Sequence, residues 1–451
     1  MTSVLLRVLR CTPAVYAVSY AVALVVSYFA GAFDAHPGGV SYADNTLLTI
    51  SMITREALRI LENNLAFTKR INRQYDDKFA VEGAKIGYVV NARKPVKYIV
   101  STGQALQLQD STETQVPVSL TTQDHVDFQF SSADLKLSID DFGDRFIQPA
   151  VAALANKIDY NGLQLYKQVY NSVSSLDAVP PVTPIATPTS LLVYLMAGVM
   201  LDNNAAPMDE QRHLVITPKM QAYIVDALKG LFQQATAIAT QYSKGQMGTA
   251  AGFQWAMDQN CPTHTTGIFT GALATAAGAQ TGALINITAG TSFSLRAGDI
   301  VTMAGVFSIN PQSRQSTGQL QQFTVTAASA GTTTGAIAVS PAIIVSGPLQ
   351  TVSAAPNAAT VTVLGQATAQ AAQSFPVGLA FHRDAFTLVT ADLPVPKGTD
   401  MASRVSDKQL GISLRIVRDY DITTDQFPCR IDVLYGWATL RPELACRVYS
   451  A

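Results

Sequence analysis

The chain has 451 residues, of which 48% are hydrophobic and only 14% are charged. This composition excludes an intrinsically disordered chain, and the length suggests two or three domains with a large apolar core. The formal net charge of -1 excludes a general electrostatic attraction to nucleic acid or membranes, so such contacts would have to come from local patches. The 4 cysteines show no C-x-x-C spacing, and we interpret them as reduced thiols.

Residues 1–41 form a leader that differs from the rest of the chain. Arg7 and Arg10 precede an uncharged, mostly apolar run from Cys11 to Phe33, close to the roughly 20 residues that a membrane-spanning helix requires. Two interpretations stay open. The leader is either a signal or an anchor, or it comes from a start codon assigned too far upstream, with Val40 as the true start.

Residues 42–84 predict an N-terminal arm. The sequence changes there from apolar residues to Asn, Thr and a helical pattern that begins near Asn45. Apolar residues at helical spacing predict one buried face of this helix and a polar opposite face. The predicted face consists of Ile53, Ala57, Ile60 and Leu61.

Residues 85–130 predict an extended hairpin loop. The runs 85–100 and 115–130 alternate in polarity and are rich in β-branched and aromatic residues, which predicts two long strands. The tip between them, 103–114, is predicted to be polar.

Basic residues dominate the arm and the first strand, and acidic residues dominate 101–144, so complementary contacts between copies of the chain are one hypothesis. Its candidate residues are Arg93, Lys94, Lys97, Asp124 and Asp127. Two ordinary solvated faces are the alternative.

Residues 131–175 predict a long spine helix. A helix from Asp144 to Ser172 would be roughly 40 Å long. Two adjoining apolar stripes indicate that it is covered on two sides. The stripes are Ile147, Val151, Leu154, Ile158, Leu165 and Val169, and Leu163, Tyr166, Tyr170 and Val173. Gly162 is expected where another backbone comes close.

Residues 176–267 predict a central α/β lobe. Thr187 and Pro188 are expected to open a helix that runs to about Asn203, and its predicted inward face is Leu191, Leu195 and Val199. The strand 213–217 is expected to lead directly into a helix that begins at Thr217 and Pro218 and ends at Gly230.

Residues 268–372 predict an inserted β-barrel. This segment is nearly uncharged and rich in Thr, Ala, Gly, Ser and Val, with many short strand-like runs between turns.

Residues 373–405 are interpreted as the return to the central lobe, and 406–451 as strands of a peripheral domain. The alternating segments 412–417 and 430–435 are expected to pair antiparallel, with Arg415 facing Asp432.

The sequence offers little for catalysis or metal binding. It lacks a phosphate-binding loop, an H-E-x-x-H zinc motif and a G-x-S-x-G nucleophile turn. The five histidines are isolated in sequence, and Cys261 with His264 has no further ligands nearby for zinc. The adjacent acids Asp76-Asp77 and Asp140-Asp141 are interpreted as solvated turns or caps. We therefore expect no enzyme activity, no cofactor and no metal site.

Several segments resemble the major capsid proteins of tailed bacteriophages, and the resemblance extends from Thr46 to the C-terminus. The run MITREALRILENNL with the later RQYDDKFA resembles the N-terminal arm of that family. The segment LRAGDIVTMAGVFSINPQSRQSTGQLQQFTV is similar to the inserted domain of the short-tailed-phage subfamily. FPVGLAFHRDAFTLVTADLPVP and YGWATLRPELACRV match the segments of the family that follow the insertion.

This resemblance implies an α+β fold of the Hong Kong-type phage capsid class, with an arm, an extended hairpin loop, a spine helix, a central lobe and an inserted barrel. It also implies a virion shell protein that forms hexamers and pentamers, encloses double-stranded DNA and assembles in the host cytoplasm with scaffolding and portal proteins. Small-molecule substrates are not expected. A membrane-anchored or secreted β-rich surface protein is the alternative, favoured by the leader and the Thr-rich insertion.

Overall fold

The computed structural model describes most of the chain after residue 53, and the described residues belong to one compact unit, Ile50–Ala451. They are 54–61, 65–76, 89–96, 98, 100, 103–104, 106, 108, 115–131, 147–174, 187–228, 248–364, 366, 369–407 and 412–450. The leader, the proposed start at Val40, the helix start near Asn45, Asp144 and Gly230 lie outside these residues.

Helices are few in the described part of the chain. They are α1 (54–61), α2 (Gln148–Leu163), α3 (Leu191–Asn203) and α4 (Pro218–Leu228). Short 3-10 turns lie at Thr68–Arg70, Gln164–Gln168, Arg383–Ala385 and Pro442–Leu444. On α1, Ala57 and Leu61 are fully buried and Ile60 packs against the core, which confirms the predicted apolar face for the residues described.

The spine helix is shorter than predicted. α2 spans 16 residues, or about 24 Å at the rise of an α-helix, and the chain then tightens into the turn Gln164–Gln168 before a strand at Asn171–Val173. The prediction of a helix to Ser172 is therefore wrong in its second half. Both predicted apolar stripes are nevertheless buried. Their burial continues past the helix because the following strand pairs in the core of a sheet.

The first large sheet has six strands, numbered here with all other strands in chain order. They are β1 (Asn72–Asp76), β4 (Thr122–Ser131), β21 (Phe386–Ala391), β22 (Met401–Asp407), β23 (Ile412–Arg418) and β24 (Gln426–Thr439). β24 runs through the centre and pairs with β4, β21 and β23, while α2 packs against β4 and β24. Arg415 lies opposite Asp432 in the β23–β24 ladder, which confirms that prediction.

The second large sheet has seven strands. They are β5 (Asn171–Val173), β6 (Arg212–Ile216), β7 (Thr249–Ala250), β8 (Phe253–Met257), β9 (Thr263–Thr265), β20 (Ser374–His382) and β25 (Ala445–Tyr449). β6 and β25 are buried at every residue, as expected for central strands covered on both faces. β6 leads into α4, and the hydroxyl of Thr217 accepts from the N–H of Met220, which confirms the predicted helix start.

The predicted inward face of α3 is wrong at two of its three residues. Leu191 is half-buried and packs against the core, but Leu195 and Val199 are exposed. The buried residues of the helix are Val193, Tyr194, Ala197, Met200 and Leu201. The helix also begins later than expected, because the side chain of Ser190 accepts from the N–H of Leu192 and caps it. α3 is apolar almost all round its circumference, so hydrophobic spacing alone does not select the face that packs on the sheet.

The inserted barrel is present. Six strands close it: β11 (Leu273–Thr275), β12 (Gly282–Ala289), β14 (Ile300–Ile309), β15 (Ser316–Val325), β17 (Thr334–Ile343) and β18 (Thr360–Val363). Alternate residues point inward and fill it, among them Ile285, Ile287, Ile337, Val339, Val361 and Val363. A four-stranded sheet accompanies it, formed by β10 (Ile268–Thr270), β13 (Ser292–Leu295), β16 (Ser329–Gly331) and β19 (Ala369–Gln370). The boundaries at 268 and 372 stay a prediction.

The hairpin differs from the predicted pair of long strands. β2 (Val89–Arg93) pairs with β3 (Gln115–Ser119) over only five residues each. The chain then bends, and β4 leaves the hairpin to pair with β24 in the six-stranded sheet. Much of the predicted second strand is therefore part of the body of the protein, because its alternating apolar residues Val126 and Phe128 pack against the core.

Candidate functional site

Two of the basic candidates, Arg93 and Lys94, lie where the β2–β3 pairing ends. Arg93 is the last residue of β2 and pairs with Gln115. Lys94 follows it and is half-buried. The side chain of Arg93 and all of Lys97 lie outside the described residues. Contact with another copy of the chain stays a prediction for these three residues.

The acidic candidates lie on β4 and differ in environment. Asp124 is half-buried, and its carboxylate accepts from Asn161 of α2 at 3.2 Å and from the hydroxyl of Tyr435 of β24. It therefore joins three elements within its own chain. Asp127 is exposed and lies 2.8 Å from His125. Of the two, only Asp127 presents its carboxylate to solvent, so it is the better candidate for contact with a neighbour.

An apolar row marks the loop beyond β2 and β3. The exposed fractions are 61% for Tyr98, 92% for Val100, 84% for Leu106 and 87% for Leu108. Leu106 and Leu108 belong to the tip that was predicted to be polar, so the described part of the tip exposes apolar side chains beside Gln104. Several large, exposed apolar side chains in one short stretch of a chain are typical of surfaces that another molecule covers.

The base of the hairpin is held firmly by the six-stranded sheet. Ala92, Val118 and Leu120 are buried together with residues of β21 and β24 and with Leu440. At Gly436 of β24 the carbonyl oxygen of Ser119 lies 2.2 Å from the position that a Cβ would occupy. This close approach requires glycine at position 436, and it fixes the place at which the hairpin leaves the sheet.

A fully buried arginine joins the barrel to the rest of the chain. The guanidinium of Arg447 in β25 donates to the hydroxyl of Thr324 in β15 at 2.8 Å and to the carbonyl of Gly298. It also donates to the carbonyl of Lys167 at 3.2 Å and lies 5.3 Å from the centre of the Tyr166 ring. One side chain thus connects the barrel, the turn after α2 and a central body strand.

A buried histidine extends this junction. Nε2 of His264 lies 3.0 Å from the carboxylate of Asp299, which also accepts from the N–H groups of Gly267 and Arg296. Because a carboxylate only accepts, Nε2 donates, and Nδ1 then accepts from the hydroxyl of Tyr166 at 3.1 Å. Burial lowers the pKa of His264, which favours this neutral form. The cluster is enclosed by protein and acts as a structural connection.

Sequence reasoning missed this junction. His264 was set aside as isolated, and Arg447 was not singled out. A signal was present in the last strand, where one arginine interrupts the apolar run L-A-C-R-V-Y. A charged residue in a strand that is otherwise buried needs specific partners, and its partners here are 123 to 280 residues away in the chain.

Within the described ranges, no group of three or more His, Cys, Asp or Glu side chains is arranged to hold a metal ion. None of the helices described is both long enough and apolar enough to cross a membrane.

The structure combines an α+β body, a β-hairpin and an inserted barrel that is joined to the body by a buried polar junction. This is the architecture that the resemblance to phage capsid proteins implies. Residues 43–447 match the family model described as P22 coat protein, gene protein 5. The chain belongs to this family. It is a major capsid protein that forms the shell of a tailed phage, and the surface-protein alternative is not favoured.

Solved structures with a similar course of the chain come from several phages. A structure from Mycobacterium phage Che8 is 12% identical, with 85% of this chain and 90% of that chain covered and a TM-score of 0.42. The capsid of cyanophage P-SCSP1u is 11% identical, with 86% and 88% covered and a TM-score of 0.41. The satellite phage P4 procapsid is 10% identical, with 94% and 95% covered and a TM-score of 0.37. No curated protein sequence matches the chain.

Proposed function

We propose that the subunits form hexamers and pentamers through head-to-tail contacts in which the hairpin of one copy lies on the next. Such heterologous contacts close into rings when the rotation between copies is fixed. The rings would build an icosahedral shell around double-stranded DNA in the host cytoplasm, with scaffolding and portal proteins as further partners. The proposed role is structural and needs no catalytic step or cofactor.

The apolar row on the hairpin loop carries this proposal. A two-stranded ribbon alone is at best marginally stable in water, and this one projects side chains such as Val100, Leu106 and Leu108 that its own chain leaves exposed. Covering them on a neighbour removes apolar surface from water at about 25 cal/mol per Å². The basic end of the hairpin and the exposed carboxylate of Asp127 add complementary charge, which sets register more than affinity.

The test replaces the two most exposed leucines of the loop. The variant Leu106→Gln with Leu108→Gln is expected to keep the thermal unfolding of the free subunit and to lose most of the shells measured by sedimentation. Met208→Gln is the matched control, because Met208 is 77% exposed and lies outside the hairpin. Normal shell yield from the double variant would refute the proposal. Shell loss together with early unfolding would show a folding defect instead.

A further inference from the structure

The root of the N-terminal arm, residues 65–71, is bound to the spine helix of its own chain. Leu65, Phe67, Thr68 and Ile71 are almost completely buried. The ring of Phe67 lies 5.2 Å from that of Phe381 and 5.8 Å from that of Trp437. The apolar residues of the described part of the arm thus pack into its own subunit, and its exposed residues stay available for contact with a neighbour.

A single carboxylate receives the backbone of this root. Asp159 of α2 is 1% exposed, and its oxygens accept from the N–H of Ala66 at 2.6 Å and from the N–H of Phe67 at 3.1 Å. They also accept from the N–H of Thr68 at 3.0 Å and from the Thr68 hydroxyl. Four donors from three consecutive residues therefore converge on one acidic side chain.

Packing alone would not require a carboxylate at position 159. Hydrogen bonds to an ionised acceptor are about twice as strong as neutral ones. The four donors offset part of the cost of burying the charge, although burial has the larger effect and raises the pKa of Asp159 above its usual value. Arg70 donates to the carbonyl of Ala66, which tightens the same turn. A buried apolar residue at position 159 would leave three N–H groups without partners, so the carboxylate defines the path of the chain rather than merely filling space.

We propose that Asp159 is a positioning residue for assembly: it fixes the arm root on α2, so that the exposed polar face of α1, with Arg55, Glu56 and Arg59, is presented to a neighbouring subunit from one defined point. The inference rests on the proposed head-to-tail contact between neighbouring copies. A pre-positioned segment loses less conformational freedom on binding, so its contact with a neighbour is stronger. If the root were released, the segment could still make the same contacts with a neighbour. Binding would then also have to order the segment, at a cost in conformational entropy.

The test uses the full chain with Asp159→Asn, which keeps the shape of the side chain but removes its charge and one acceptor oxygen. Trypsin cleavage after Lys69 in the free subunit reports local opening of the root, and sedimentation reports shell yield. We expect cleavage to become about tenfold faster or more and shells to decrease at a temperature well below unfolding. Thr68→Val removes one of the four donors and should give a smaller change in both measurements. Asp159→Glu, which restores the charge, should recover part of the loss.

Two results would overturn the inference. One is unchanged cleavage in Asp159→Asn, which would show that the carboxylate does not hold the root. The other is faster cleavage with normal shell yield, which would show that the root does not position anything needed for assembly. If Asp159→Asn fails to fold, Thr68→Val decides with the same two measurements. The outcome is separable from that of the hairpin test, because normal shells from the Leu106 and Leu108 variant would contradict the proposed overlay whatever Asp159 does.

Discussion

The guanidinium of Arg447 donates to the hydroxyl of Thr324 at 2.8 Å, across the boundary between a central body strand and the inserted barrel. Both residues are fully buried. The hydroxyl of Thr324 in turn donates to the carbonyl of Lys167 at 2.8 Å. The barrel is therefore attached through an enclosed polar network as well as through its two connecting chains, which restricts its orientation on the body.

Arg447→Met should destabilise the subunit strongly. Methionine has a similar length and apolar stem but no donors, so the carbonyls of Gly298 and Lys167 lose a buried partner. We expect the free energy of unfolding to fall by about 3 kcal/mol or more, measured by urea unfolding of the free subunit. Arg59→Met is the control, because Arg59 is 63% exposed and its ion pair with Glu56 lies at the surface, where such pairs contribute little to stability. Equal losses in both variants would contradict a special role for Arg447.

Two helical glycines should respond to alanine in opposite directions. In Gly162→Ala of α2 the new methyl group would lie 2.6 Å from Cζ2 of Trp437, so we expect a loss of about 1–3 kcal/mol from overpacking. In Gly198→Ala of α3 the nearest atom is 3.7 Å away, on Phe253, and the higher helix propensity of alanine should add about 0.5–1 kcal/mol. Thermal unfolding measures both changes. A stabilised Gly162→Ala subunit would mean that Trp437 moves aside at little cost.

Asp258 makes folding depend on pH. Burial raises the pKa of Asp258 from 3.8 to about 6, so between these values the folded state holds a proton that the unfolded chain has lost. Stability therefore falls as the pH rises through this window and stays reduced above about 6. Asp258→Asn removes the buried charge and should stabilise the subunit by about 1–3 kcal/mol at neutral pH. Below pH 3.8 that gain should disappear.

Urea unfolding of both proteins across this pH range checks the prediction. Asp127→Asn is the control, since the Asp127 side chain is 57% exposed and its burial changes little on folding. A constant difference between Asp258→Asn and the parent chain at every pH would show that the effect comes from packing rather than from ionisation.

The spacing of apolar and polar residues along the chain was enough to predict some features of this fold. Alternation identified the barrel strands, because a closed barrel buries every second residue, as at Ile285 and Ile287. The spacing of Arg415 and Asp432 in two adjacent alternating segments was enough to predict a cross-strand pair, and their side chains make two hydrogen bonds, at 3.0 and 2.6 Å.

The features that sequence missed depend on distant partners. The spine helix ends at Leu163 although its apolar spacing continues, because Val169 and Val173 are buried by neighbouring elements rather than by a helix face. Gly162 faces the side chains of Trp437 and Phe67 rather than a backbone. Likewise, the roles of Asp159 and Arg447 come from partners that are 91 or more residues away in the chain. The spacing of residues in a single sequence does not reveal partners that are so far apart in the chain.

The last prediction concerns the basic end of the hairpin. Replacing Arg93, Lys94 and Lys97 together by Glu should weaken assembly, because like charges then meet the acidic surface that includes Asp127 and alter the register between copies. Folding of the free subunit is expected to change little, and its thermal unfolding is measured beside the shell yield. Shell yield must be compared at low salt, where screening is weakest.

A matched control for this charge reversal replaces Lys157, Lys219 and Lys397, three exposed lysines outside the hairpin, by Glu in one chain. It changes the net charge by the same amount, so a general effect of charge on solubility or association would appear in both triple variants. We expect shells to be lost only in the hairpin variant and to be partly restored by salt. Equal shell yields for the two variants, each with normal thermal unfolding, would show that the basic end of the hairpin does not contact a neighbouring subunit.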